Sequence, residues 1–138
     1  MVFADTSGIV AAFHASDDHH AEAAAAWRSL AQSREAILTT DLVLAETVTL
    51  LRRRGGWAVS RSAGDALLRS RAVEIVRASR EQMDAAWREF LRDADPKLSL
   101  CDALSFIVMR ERGVTRALTF DRHFADAGFG LLPARPAR

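Results

Sequence analysis

The chain has 138 residues, 49% of them hydrophobic and 27% charged, with a formal net charge of +1. That length supplies one domain with one sizeable core, and the composition excludes a disordered chain. One cysteine, Cys101, excludes an internal disulfide and any zinc site built on several cysteines, and the absence of tyrosine excludes tyrosine-based chemistry. The lone thiol, the lack of a basic leader and the lack of a long apolar run together predict a cytoplasmic protein with no membrane span. All basic residues except Lys97 are arginine.

In chain order, residues 1–4 form a short apolar segment that reads as a buried strand. It runs into Asp5-Thr6-Ser7-Gly8, which carries helix-capping chemistry. Residues 8–14 predict a short helix and 22–30 an alanine-rich one. Residues 36–39 predict a second strand. A long helix over 41–54 follows, closed by Gly55-Gly56, then a further helix over 57–70. Residues 72–76 have strand character. In 80–92, Met83, Ala86, Trp87, Phe90 and Leu91 recur at helical spacing. A helix over 99–112 stops at Gly113, residues 115–120 predict a strand, Asp121 opens a short helix, and 128–132 predict a last strand. Strands alternating with helices imply an α/β layer fold around a mainly parallel sheet, with ligands bound beyond the carboxyl ends of the strands.

Four acids stand out against that frame. Asp5 and Asp121 each follow an apolar strand directly, so both fall at the carboxyl edge of the sheet; each could equally cap the helix that follows. Glu46 sits within Leu42-Val43-Leu44-Ala45-Glu46-Thr47-Val48-Thr49-Leu50-Leu51, a helix apolar on nearly every side. Burial there would strip its hydration unless an arginine, a hydrogen-bond network or a metal compensates. Asp102 lies at the start of another apolar helix, and Ser99-Leu100-Cys101-Asp102 has the spacing of a capping box. Convergence of all four would set like charges against one another, at about 4 kcal/mol for a pair 4 Å apart in an effective dielectric of 20. A cation removes that repulsion, and an oxygen-only donor set selects a hard one, Mg²⁺ or Mn²⁺.

The ordered set of Asp5, Glu46, Asp102 in Ser99-Leu100-Cys101-Asp102-Ala103, and Asp121 in Thr119-Phe120-Asp121-Arg122-His123-Phe124 resembles the PIN-domain nucleases. More narrowly, it resembles the VapC-type toxins of toxin–antitoxin pairs. The likeness runs from Val2 to about Leu132. It implies a single PIN-like domain over 1–132, with a mainly parallel sheet of about five strands flanked by helices, and a short tail over 133–138. It further implies an Mg²⁺- or Mn²⁺-dependent endoribonuclease. Asp5, Glu46, Asp102 and Asp121 would be its acids, with Thr6, Ser7 and Thr119 at supporting hydroxyl positions. Homodimers and neutralisation by a cognate antitoxin are implied in the same way. In that reading Asp5 and Asp102 hold the metal, and Glu46 either completes its inner shell or acts as general base. Asp121 then orients a water in the outer shell or supports a second metal.

The RNA would need cationic contacts. Arg52-Arg53-Arg54 ends the Glu46 helix, and residues 52–80 hold eight arginines against Asp65 and Glu74. That suits a phosphate backbone, although arginines at a helix C-terminus also complement its dipole. Trp57 reads as a core or dimer-contact residue. His19 and His20 are adjacent and do not share a helix face, which argues against a two-histidine metal site. His14 has no evident role, His123 is placed to touch substrate phosphate at most, and Cys101 reads as a small buried hydrophobe. Two other readings stay open: an Asp5-based phosphoacceptor domain, and a non-catalytic binding module on the same fold. The first is disfavoured because Ser7 stands where a second aspartate is wanted and Lys97 lies before a helix.

Overall fold

The computed structural model of the protein describes residues 1–134. Within them, five strands and seven helices alternate: β1 Val2–Ala4, α1 Thr6–Phe13, α2 His20–Ser33, β2 Ile37–Thr40, α3 Asp41–Gly55, α4 Trp57–Arg69, β3 Val73–Val76, α5 Arg80–Arg92, α6 Leu100–Glu111, β4 Arg116–Leu118, α7 Arg122–Asp126 and β5 Gly130–Leu132. The expected strand over 115–120 is shorter than the sequence suggests. Pairing ends at Leu118, and Thr119 and Phe120 are drawn into the turn that carries Asp121. Of the expected tail over 133–138, residues 135–138 lie outside the described residues. Among the described residues no helix is long and apolar enough to cross a membrane.

The sheet is wholly parallel, in the order β3-β2-β1-β4-β5. The chain builds outward from β1 through β2 to β3, then returns to the other side of β1 for β4. β1 and β4 therefore flank the switch point at which such sheets bind ligands. β1 is buried at every position, as a central parallel strand must be, whereas β3 and β5 at the edges are only half-buried. Register is set by Phe3 opposite Leu38 on one side and Ala117 on the other.

The helices form two packed groups, α1 to α4 and α5 to α7. The main core joins Phe3, Ile9, Leu38, Leu104, Leu118 and Phe124, with Phe106 meeting Phe124 edge to face at 5.0 Å between ring centres. One contact is tighter than side-chain packing allows. A Cβ built on Gly8 would lie 2.2 Å from the backbone oxygen of Leu118, so α1 can rest on β4 only because residue 8 has no side chain.

Two expected core positions lie outside the core. α3 buries only a narrow stripe, Val43, Thr47 and Leu51, and Glu46 lies off that stripe on an exposed side. Trp57 is not in the core: it is 58% exposed at the start of α4, where the Arg61 guanidinium lies 5.3 Å from its ring centre. Both residues sit among apolar neighbours in sequence, but each helix has only one side against the body of the protein.

Candidate functional site

A cleft of about 290 Å³ opens at the carboxyl edge of β1 and β4, and Asp5, Glu46, Asp102 and Asp121 all line it. Three of the four acids reach it through the turn chemistry the sequence shows. Asp5 caps α1, Asp102 is the third residue of α6, and Asp121 caps α7. Capping a helix and lining the cleft are compatible in all three. A cap at the carboxyl end of a parallel strand points its carboxylate into the cleft.

Asp5 is 3% exposed, and its Oδ2 accepts from the Ser7 N–H (3.3 Å), the Ser7 hydroxyl (3.0 Å) and the Thr119 hydroxyl (3.0 Å). The hydroxyls are themselves oriented: Ser7 Oγ accepts from the Phe120 N–H at 2.9 Å and Thr119 Oγ1 from the Asp121 N–H at 3.0 Å. Each is thus left with its own proton to give to Asp5. Even so, burial first and the Asp102 charge second raise the Asp5 carboxyl from its ordinary value to about 7, against the lowering effect of these bonds.

Asp102 closes a capping box. Its N–H donates to Ser99 Oγ and its Oδ2 accepts from the Ser99 N–H, both at 3.0 Å. Its pKa is raised, chiefly by burial and further by the Asp121 charge, while the Ser99 N–H opposes the shift. Ser99→Ala is expected to cost about 1 kcal/mol in urea unfolding, the usual cost of a lost cap.

Asp121 is engaged through Oδ1 by the His123 N–H at 2.9 Å and by His123 Nδ1 at 2.6 Å, and His123 Nε2 meets Asp95 Oδ2 at 2.9 Å. Burial disfavours the charged imidazole, but the hydrogen bonds to Asp95 and Asp121 and the charges of Asp121 and Asp102 raise its pKa on balance. Asp102, Asp121 and His123 each bring one potential ligand atom within 4.8 Å of the others. Both ring nitrogens of His123 already meet carboxylates, so its direct partners are acids of this chain.

Glu46 arrives differently, from the second turn of α3. Thr6 Oγ1 donates to its Oε2 at 3.2 Å, which ties α3 to the start of α1. The arginine partner that burial would have required is absent among the described residues. The arginine ion pairs run instead to Glu35, Asp65, Glu74 and Glu89. Beside Glu46, the Cys101 thiol is pushed up by burial and by the Glu46 carboxylate, which keeps it protonated and unsuited to attack.

Of the basic triplet, Arg54 lines the acidic cleft with Lys97, whereas Arg52 and Arg53 line a separate depression with Val48, Thr49 and Ser60. Spacing accounts for the division: Glu46, Leu50 and Arg54 follow one another at four-residue intervals on one face of α3. His19 and Phe120 also line the cleft and were not legible as a pair, because 101 positions separate them.

As a donor set, the site offers carboxylates that pair with no arginine or lysine among the described residues, and the carboxyls of Asp5 and Asp102 carry raised pKa values. Such a set fits a hard divalent cation: Asp102 and Asp121 can bring ligand oxygens within 4.8 Å of one another, and Asp5 and Glu46 line the same cleft.

The fold and this cleft define a PIN domain, and the family's sequence model matches residues 2–130. The chain belongs to that family. It is 36% identical over 129 residues to the 23S rRNA-specific endonuclease VapC20 of Mycobacterium tuberculosis, in strains H37Rv and CDC 1551, covering 94% of this chain and 95% of the relative. The crystal structure of Mycobacterium tuberculosis VapC20, described as a sarcin–ricin loop cleaving toxin, superposes with a TM-score of 0.86 at 34% identity. That likeness spans 99% of this chain and all of the other.

Proposed function

We propose that the protein is a divalent-metal-dependent endoribonuclease and the toxin of a toxin–antitoxin pair, acting at the cleft between β1 and β4. The observation that carries this reading is the convergence of Asp5, Glu46, Asp102 and Asp121 on one cleft without arginine or lysine partners among the described residues. The likeness to VapC20 over nearly the whole chain supports RNA as substrate, and makes the sarcin–ricin loop of 23S rRNA the first sequence to test. A homodimer and a protein antitoxin belong to the same proposal.

In this reading Asp5, Asp102 and Asp121 would hold Mg²⁺ or Mn²⁺. The bound ion supplies positive charge that acidifies water and offsets charge gathering on the phosphoryl oxygens. Ser7 and Thr119 keep Asp5 Oδ2 occupied, so the carboxylate presents one fixed orientation. Glu46 is exposed to the cleft and anchored through Oε2 by Thr6, and its carboxylate accepts the proton of the attacking water. His123, itself held by Asp95, fixes the direction of Asp121. Arg54 and Lys97, which line the same cleft, receive backbone phosphates of the RNA.

Thermal unfolding with Mn²⁺ tests the site without any choice of RNA. At 100 times Kd, binding to the native state alone adds about 2.7 kcal/mol, or roughly 10 °C in Tm for a domain of this size. Asp5 titrates near 7 and must lose its proton to bind, so the shift is expected to be larger at pH 8 than at pH 5.5. The absence of a Mn²⁺ shift at either pH would remove the metal site from the proposal.

A further inference from the structure

The imidazole of His19 lies flat on the ring of Phe120, with ring centres 4.3 Å apart and planes 7° from parallel. Both residues line the acidic cleft. The pair is fixed from below and from the side. Phe120 sits between Thr119 and Asp121, and its N–H donates to Ser7 Oγ, the same hydroxyl that holds Asp5. His19 stands at the start of α2, where its N–H donates to Asp17 Oδ1 at 2.9 Å and the ring edge approaches Glu22 Oε1 at 4.0 Å. Its neighbour His20 turns away and spends Nδ1 on the Ala11 carbonyl at 2.8 Å. One face of the His19 ring is covered by Phe120, and 36% of the side chain stays open to solvent.

A rigid aromatic surface at the rim of a cleft that receives RNA has an evident use. Unpaired bases are bound by stacking on aromatic rings, histidine included, whereas paired bases offer no free face. We propose that His19, backed by Phe120, is a stacking platform for an unpaired nucleobase adjoining the cleaved phosphodiester. The inference rests on the ribonuclease reading above and deepens it: the platform selects substrates in which the flanking base is already splayed out, as in a loop.

The test uses a fluorescently labelled sarcin–ricin stem–loop oligonucleotide. Binding is measured in an Asp5→Asn background so that the RNA stays intact. His19→Ala is expected to weaken binding about tenfold, the usual scale of one lost stacking contact, while His19→Phe stays close to the His19 protein. A single abasic position in the loop is expected to weaken binding to the His19 protein by the same factor and to have no further effect on His19→Ala. Equal binding by His19→Ala overturns the proposal. So does a loss in His19→Phe as large as in His19→Ala, which would assign the effect to the imidazole nitrogens rather than to stacking. So does an abasic scan in which every position acts independently of residue 19. Cleavage of the same oligonucleotide by the protein with Asp5 intact separates the two levels. Cleavage without any residue-19 effect removes only the platform. Coupled binding without cleavage removes only the nuclease reading, and absence of both binding and cleavage removes the two together.

Discussion

Asp5→Asn is expected to abolish RNA cleavage, by at least about 100-fold given the usual cost of disturbing a metal site, and at the same time to make the metal-free protein more stable near pH 8. The second half follows from the sign of the shift. The Asp5 carboxyl titrates near 7 in the folded protein and near 3.8 when unfolded. Below pH 3.8 both states carry the proton and no penalty exists. Between pH 4 and 7 the unfolded chain ionises while the folded one does not, so stability falls as pH rises. Above 7 the penalty is complete, and three pH units correspond to about 4 kcal/mol. Asparagine keeps an acceptor for Ser7 and Thr119 but carries no charge, so its gain over aspartate should be absent at pH 4 and largest at pH 8. Urea unfolding at both pH values, with chelator present, checks this. A mutant equally destabilised at both would mean that Asp5 serves the fold as a cap alone.

Gly8→Ala is expected to be the most damaging single-methyl substitution in the chain. Alanine is the better helix former by about 1 kcal/mol, so an effect of helix propensity alone would stabilise α1. The new Cβ, however, would meet the Leu118 backbone 2.2 Å away, and neither partner is a flexible side-chain end. Relief requires α1 to lift from β4, which breaks the main-core contact of Ile9 and moves Asp5, Thr6 and Ser7 together. A loss of about 3 kcal/mol, read from the urea midpoint, and loss of Mn²⁺ binding are the expected results. Gain of stability would show that the helix can shift without cost.

Much of this arrangement is legible in the sequence because it rests on local rules. The alternation of apolar strands and amphipathic helices gives the element order, and the strand-then-aspartate pattern of Asp5 and Asp121 gives two corners of the cleft. Ser99 and Asp102 announce their capping box by spacing alone. The departures have a common origin in tertiary geometry. A run of apolar residues around Glu46 does not say which side of α3 faces the protein, and the buried stripe passes through Val43, Thr47 and Leu51 instead. The necessity of Gly8 arises from Leu118, 110 positions later, and the partnership of His19 arises from Phe120. Nothing near either residue in sequence contains that information.

The bond from Thr119 to Asp5 spans 114 positions, and β1 finds its β4 neighbour only in residues 116–118. During synthesis Asp5 emerges first and must wait for nearly all the rest of the chain before its hydroxyl partners exist. Until then β1 has no strand on one side, Asp102 and Asp121 have not met it, and the cleft has no floor. Any chain that stops before β4 therefore lacks the site entirely, whatever it has folded by then. Long-range closure of this kind also slows folding. For the ribonuclease proposed above, the same delay means that the cutting site is assembled last.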